Sequence, residues 1–519
     1  MKKSGLACLA LFVGLVAGCS LFPFSYEAYA YSVLNTADFE REEGVGCFKA
    51  GSFSPVSSAD ESFASYSDVY RDKVGDANYS WRINLPSTGE QKLLVIPVDF
   101  SDYPSSNLPD DSLDMVRESF FGSEKNNQYF SVASFFDKAS YGRLHLQGKV
   151  TSWFTSSGYT YASLKNLSGS SGNTVALKSL RAEALQWYAS AYPDDPLSNY
   201  SFPIDGYGKA VAVYLVYSMP NLSSESSGHR DSMLWAFTIN NPAPTAWSSF
   251  GLTYLSDGKV DSHTFIHETG HIMGLKDYYD VNGGSDFGAC APTGRMDMMD
   301  YSIGDETGYS KLILDWTRPY VATSSCEVTL RPFSSSGDLL LLSPSWNGSP
   351  FDEYLLLEFY VPSYLNYVDA TLRNNGERLF QKPGVKVYHV DSRLGYFDKV
   401  SLKGYLQDDI ATASSYKVDV ANDNSALVSE DYVDTSNLLY QLLDKSSGSA
   451  KLIKDYVASD HTETLSDGSN LRDSLFYEGD GFGEDSFLDF SFHDGAAFPF
   501  TFRISALTST FAKIAVTME

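Results

Sequence analysis

His267-Glu268-Thr269-Gly270-His271-Ile272-Met273-Gly274-Leu275-Lys276-Asp277 sets two histidines four residues apart, an acid beside the first, and a glycine and an aspartate at fixed spacing beyond them. Residues four apart share one face of an α-helix. His267 and His271 can therefore each offer a ring nitrogen to one Zn²⁺ at about 2.0–2.1 Å. Glu268 can then reach a water at the same ion as general base. Asp261 or Ser262 can cap the helix start, and Gly274 allows the left-handed turn that brings Asp277 back as an oxygen ligand. Three protein ligands leave a fourth position open, which separates a catalytic zinc site from a structural one.

The chain has only eight histidines, so a chance H-E-x-x-H has odds on the order of one in a hundred. Asp280 competes with Asp277 for the third ligand position. It opens the oxygen-rich run Asp280-Val281-Asn282-Gly283-Gly284-Ser285-Asp286, which could hold Ca²⁺ or be a solvated turn. Asp480-Gly481-Phe482-Gly483-Glu484-Asp485 carries the same two readings. His263, one turn before His267, reads as a capping residue or a support for the ligands.

Downstream runs Arg295-Met296-Asp297-Met298-Met299-Asp300-Tyr301-Ser302, a methionine-rich segment ending in Met-x-Tyr. With the extended helix motif it resembles the metzincin-like peptidases, in which a methionine turn lies beneath the metal. The closer likeness is to the immune inhibitor A family of secreted bacterial metalloproteases, whose H-E-x-x-H-x-x-G-x-x-D pattern this chain matches at all five fixed positions. The stretch from Asp297 through Tyr309-Ser310-Lys311 to Trp316 is similar to that family too. Weaker likeness extends to Lys92–Asp102, Ser140–Leu144, Tyr354–Glu358, Gly384–Asp391 and Leu475–Asp480, so it covers about residues 88 to 519.

The resemblance implies peptide-bond hydrolysis at zinc held by His267, His271 and Asp277. Met299, or else Met298, would be the apolar floor, and Tyr301 either a transition-state donor or a packing aromatic. His389 and Asp391 sit in a strand and read as structural.

The N-terminus is a targeting segment: Lys2 and Lys3, an apolar run from Leu6 to Val16, and then Val16-Ala17-Gly18-Cys19. The exit resembles a bacterial lipobox, which implies a lipid on Cys19. The apolar run is short for a membrane span, and no later stretch approaches the ~18 apolar residues that spanning needs. This predicts a protein at the bacterial cell surface, held to the membrane by lipid alone or released.

Five cysteines are present, and Cys8 leaves with the signal. Cys290 and Cys326 flank the methionine segment and are candidates for a disulfide, which leaves Cys47 odd. Cys47 is a small buried residue, an unpaired thiol or a zinc-facing latency switch.

The formal net charge is -27. Residues 1 to 18 contain two lysines and no acid, so loss of the signal takes -27 to -29. Such a surface disfavours nucleic acid and anionic membranes as partners. Extracellular protein or peptide substrates acted on by a monomer are the expectation.

The 519 residues divide into a signal (1-18), a linker or pro-segment (19-87), a zinc peptidase domain (88-320) and a β-rich C-terminal domain (321-519). Strands and helices alternate from 88 to 320. Thr174 to Ala191 has helical spacing of Leu177, Leu180, Ala184 and Trp187 or Tyr188, and Ala210 to Tyr217 reads as a buried strand. Beyond 321 strands dominate: Glu327–Arg331, Leu339–Leu342, Tyr354–Val361, Gly384–Val390, Phe500–Ile504 and Lys513–Met518. The expected class is α+β. It comprises a metzincin-like domain, with a twisted mixed sheet and an active-site helix, and then a sandwich-like β domain. The main functional alternative is a surface-binding lipoprotein with a vestigial metal site. The intact Glu268 argues against it, since a structural site has no use for a general base.

Overall fold

A computed structural model describes residues 47–49, 83–123, 129–165, 170–204, 208–219, 236–240, 243–250, 261–279, 292–294, 296–322, 324–344, 346, 350–372, 379–398, 404–406, 416–424, 438–443, 474–483, 491–493, 495 and 497–518. The signal, Cys19, the Asp280–Asp286 run, Cys290, Glu484 and Asp485 lie outside the described residues, and with them the lipid, both Ca²⁺ loops in whole or part, and the Cys290–Cys326 pairing.

The molecule is mixed α and β, with several sheets. After a short strand β1 (Cys47–Lys49) come β2 (Gly89–Asp99), helices α1 (Ser112–Phe121) and α2 (Val132–Ala139), and strands β3 (Leu144–Val150) and β4 (Phe154–Thr155). Helix α3 (Ser170–Ala191), β5 (Ser201–Ile204), β6 (Gly208–Tyr217), β7 (Phe237–Ile239) and β8 (Thr245–Ser249) follow. These strands form one sheet in the order β3-β2-β6-β8-β7, with β4 beside β2 and β5 beside β6. Strands β3, β2, β6 and β8 run parallel, and β7 is the antiparallel edge.

A parallel sheet covered on both faces needs strands that are apolar throughout. Leu93, Leu94, Val95, Ile96 and Val98 of β2 are fully buried. Leu93 and Val95 join one apolar cluster with residues of α1, α2 and the helix that follows, while Leu94, Ile96 and Val98 join another with Leu177, Leu180, Ala184 and Tyr188 of α3. The spacing of three, four and four along α3 puts those side chains on a single face.

Helix α4 (His263–Ile272) packs against β7 and β8. Its Phe265 stacks on Phe120 with centroids 4.8 Å apart and meets Tyr214 edge-on at 5.4 Å, which fixes the rotation of the helix about its axis. Short helices α5 (Met298–Tyr301) and α6 (Gly308–Ile313) come next.

The second half contains β9 (Tyr320–Ala322), β10 (Cys326–Leu330), β11 (Leu339–Leu342), β12 (Glu353–Tyr360), helix α7 (Tyr367–Thr371) and β13 (Gly384–Asp391). A three-stranded sheet is made by β14 (Leu394–Asp398), β15 (Gly404–Leu406) and β16 (Tyr416–Val420). The remaining strands are β17 (Tyr440–Leu442), β18 (Gly481–Phe482), β19 (Phe500–Leu507) and β20 (Ala512–Met518).

Six strands, β1-β9-β11-β12-β13-β17, form one sheet, and β10-β20-β19-β18 form another. Leu355, Leu357, Val385 and Val387 share a cluster with Phe502, Ile514 and Val516 of the four-stranded sheet. Tyr354, Leu356, Tyr388 and Val390 join the cluster that contains α4 and α5. The six-stranded sheet is thus covered on both sides, and every residue of β12 and β13 is buried. The largest core runs across residue 320 without a break. β1, from the stretch read as linker or pro-segment, pairs with β9 in the register Cys47↔Ala322.

Gly270 shows how tightly α4 sits on the methionine segment. A Cβ placed there would lie 2.6 Å from Met299 Sδ, and Met299 is fully buried. Gly270→Ala is expected to destabilise the protein by about 1–3 kcal/mol through overpacking. Thermal unfolding of the variant checks this, and an unchanged midpoint would show that Met299 has room to move.

Candidate metal centre

Ser262 is the cap position before helix α4, but the capping contact comes from Asp261, whose Oδ1 accepts the His263 backbone N–H at 3.0 Å. The Ser262 hydroxyl instead donates to the Phe130 carbonyl. At the other end Gly274 adopts φ +103°, a conformation that costs glycine little. Its N–H bonds to His271 O and the Leu275 N–H to Gly270 O, so the chain folds back. Lys276 is tied to Asp423 at 3.1 Å and the Tyr278 N–H to Met299 O at 2.9 Å. Asp277 lies between these two anchored neighbours.

The turn delivers Asp277 Oδ1 to 3.1 Å from His267 Nε2 and 3.1 Å from His271 Nε2, with the two nitrogens 3.2 Å apart. His267 Nδ1 faces Met298 O and His271 Nδ1 faces Leu275 O, each at 2.7 Å. A carbonyl only accepts, so both Nδ1 atoms carry hydrogen and donate. Neutral rings in that tautomer present bare lone pairs at Nε2, aimed with a carboxylate oxygen at one point. Three such acceptors repel unless a cation or a proton lies among them. A tetrahedral site with bonds of about 2.0–2.1 Å has ligand–ligand edges of about 3.3–3.4 Å, so the observed triangle needs only a slight opening to fit. The backbone carbonyls behind the rings are the supports that metal-binding histidines require.

The electrostatics match this arrangement. Burial alone would raise Asp277 and lower His271, but their mutual attraction reverses both: Asp277 is held below the usual carboxylate range and His271 is pushed up to about 9. A proton on His271 then stands where a metal would otherwise supply the positive charge.

Glu268 lies beside the triangle, 4 % exposed. Burial raises its pKa, while the two imidazoles and a hydrogen bond from Thr238 oppose the rise. That bond, Thr238 Oγ1 to Glu268 Oε2, is 2.7 Å.

Met299 packs beneath Gly270, with Asp297 Oδ1 accepting its N–H at 2.6 Å. Met298 is equally buried and supplies the carbonyl behind His267. Tyr301 ends α5, half-buried against the main apolar cluster. Thr238 and Tyr279 were not legible as site residues in the sequence. Tyr279 lies within electrostatic reach of Asp277, and its ring lies 6.4 Å from that of His267. Its position two residues after Asp277 was the only signal.

His263 supports the helix rather than joining the triangle. Its ring stacks on Tyr129 at 4.0 Å, Nδ1 faces Asp261 at 2.6 Å, and Nε2 faces both Asp369 oxygens at 3.1 Å. Asp369, from α7, also accepts the Gly304 N–H at 2.7 Å, which ties the helix start to the loop after α5. Burial opposes charging His263, yet Asp369 and Asp261 raise it to about 10. Because the folded value lies above the ordinary 6.5, this stabilisation is fully present below that ordinary value and is lost as pH rises through the raised one. Denaturant unfolding between pH ~7 and pH ~10.5 should therefore show a larger loss in wild type than in His263→Gln. Asp369→Ala should cost about 1–3 kcal/mol at neutral pH, because it leaves the buried Gly304 N–H and His263 Nε2 without their acceptor while Asp261 still faces the ring. Equal pH slopes in wild type and His263→Gln would remove the ion pair from this role.

A second group, Glu353, His389 and His493, also brings three donor atoms together. Its hydrogen bonds argue against a metal. Gln441 Nε2 lies 2.9 Å from His389 Nδ1, and an amide nitrogen only donates. His389 Nε2 therefore carries the proton and donates it to Glu353 Oε1 at 2.9 Å. His493 Nδ1 faces Asp391 at 2.8 Å, and Arg393 bridges Asp391 through bonds of 2.8 and 2.7 Å. These bonds engage His389, Glu353 Oε1 and His493 Nδ1 within the protein, and the cluster fastens β12, β13 and residues 491–493 together. Asp480, from the other loop read as a Ca²⁺ candidate, closes a turn by accepting the Tyr477 N–H at 2.7 Å.

No protein-family model matches the chain, and no curated protein matches it in sequence.

Proposed function

We propose that this protein is a zinc-dependent metalloendopeptidase that hydrolyses extracellular proteins. The observation that carries the reading is the convergence of His267 Nε2, His271 Nε2 and Asp277 Oδ1 within 3.1–3.2 Å, with the buried Glu268 beside them. A Zn²⁺ bound there would lower the pKa of a coordinated water towards ~7 and take up oxyanion charge. Glu268 accepts the proton of the attacking water and passes it to the leaving amine. Met298 O and Leu275 O hold the two imidazoles in the ligating tautomer throughout. Asp277 is an anion, so a water in this site is less acidic than one beside three neutral histidines.

The likeness to the immune inhibitor A family belongs to the same reading. So does a metzincin-like description of the helix-covered mixed sheet and a sandwich-like one of the two C-terminal sheets. Tyr301 stays a candidate transition-state donor, and Ca²⁺ in the acidic loops a structural one. A surface-binding lipoprotein with a vestigial site would have no use for a base kept beside the ligands.

The direct test is mass spectrometry of products from a protein substrate incubated with purified protein, with and without a chelator. New peptide termini that vanish with chelator are expected. An intact substrate, or cleavage indifferent to the chelator, would sink the proposal.

We also propose that Cys19 carries a lipid that holds the mature chain at the bacterial cell surface. No described helix is long and apolar enough to cross a membrane. Cys19→Ser is expected to move the protein from the membrane fraction to the medium or leave it unprocessed. Unchanged fractionation with an unmodified N-terminus would count against the lipid.

A further inference from the structure

We propose that Thr238 is a positioning residue for Glu268: its hydroxyl fixes one carboxylate oxygen, so that the other is presented for proton transfer. The assignment rests on the peptidase reading and deepens it.

Thr238 is the middle residue of β7, the edge strand beside α4. Its backbone is held in register by pairing with Ala246. The hydroxyl therefore projects from a rigid element, the condition under which a supporting contact can define geometry to fractions of an ångström. Its single hydrogen has two acceptors in reach, Glu268 Oε2 at 2.7 Å and the Glu268 backbone carbonyl at 3.1 Å. The shorter contact to the more basic atom takes the hydrogen.

The consequence for the carboxylate is geometric. Rotation about its last bond would turn the carboxylate plane, and the bond from Thr238 to Oε2 resists that turn. Oε1 is left as the oxygen not tied to the strand. A purely structural reading exists, in which the contact only staples the helix to the sheet edge. It predicts lost stability with catalysis unaltered per folded molecule.

Thr238→Val preserves shape and removes the hydroxyl, whereas Thr238→Ser keeps the hydroxyl and removes a methyl. The full-length protein and both variants are compared for bound zinc, thermal midpoint, kcat, KM and crystal structure. Thr238→Val is expected to keep its zinc and lower kcat by about 10- to 100-fold with KM within about 2-fold, the size of loss typical of groups that orient a reacting residue. Thr238→Ser is expected to recover kcat to within about 3-fold of wild type. In the crystals the Glu268 carboxylate should rotate in Thr238→Val and stay in place in Thr238→Ser, with His267, His271 and Asp277 unmoved in both.

Equal losses in the two variants, or a Thr238→Val enzyme with unchanged kcat, would overturn the assignment. If wild type shows no chelator-sensitive cleavage, it is the peptidase reading that fails. The crystal structures then decide for Thr238 alone: an unrotated Glu268 in Thr238→Val refutes its positioning role, and a rotated one upholds it.

Discussion

Glu268→Gln is expected to abolish most hydrolysis while leaving zinc content and folding untouched. The side chain is not one of the three converging donors, so its exchange takes no ligand from the metal. Gln has nearly the same shape, and its amide oxygen can still accept the hydrogen from Thr238 that now goes to Glu268 Oε2. What the variant lacks is a basic oxygen that can hold a proton between attack and departure of the amine. General acid–base groups contribute about 100- to 10,000-fold to rate, and the loss should fall in that range, in kcat with KM little changed. Steady-state kinetics on a protein substrate, with elemental analysis of the same preparation, decides it. Turnover near the wild-type rate in a zinc-loaded Glu268→Gln enzyme would take the general-base role from this residue.

The contrast between Glu268 and its strand partner shows what a linear sequence can reveal about such a site. His267, Glu268, His271, Gly274 and Asp277 lie within eleven residues, and one helix and one turn determine how they meet. Helical geometry and the freedom of a glycine at φ +103° suffice to predict their convergence. Thr238 comes from a three-residue strand thirty positions upstream. Nothing in Phe237-Thr238-Ile239 marks it as a partner of the helix, because that contact depends on which edge of the sheet the helix packs against.

Asp369 lies 106 residues beyond His263 and was equally hidden. The sequence marked His263 as a support but gave no sign of what it would bind. The buried runs of β2 and β6 are legible from their apolar composition, and β12 and β13 are legible as strands. Composition does not reveal that the six-stranded sheet has a core on each side, one of them shared with α4, since a strand buried twice over reads the same whatever covers it. The two halves divided at residue 320 in the sequence reading accordingly share one continuous cluster.

Asp277→Ala should strip the metal site almost as completely as loss of a histidine. Its Oδ1 is within 3.1 Å of both ring nitrogens, and its charge is the main force that draws a proton onto His271 in the absence of metal. Removal leaves two imidazoles, too few for a tight zinc site, and affinity should fall by at least about 100-fold. The turn itself should survive, because Lys276 and Tyr278 are anchored independently through Asp423 and Met299 O. Asp280→Ala is the matching control and should leave zinc affinity unchanged. Asp277→His should regain much of the zinc without regaining the rate, since the longer imidazole shifts the ion relative to Glu268 and removes one negative charge from its shell. Zinc affinities of the three variants, measured side by side in competition with a chelator, separate the possibilities. A large loss in Asp280→Ala with none in Asp277→Ala would transfer the third ligand to Asp280 and break the link between the Gly274 turn and the metal.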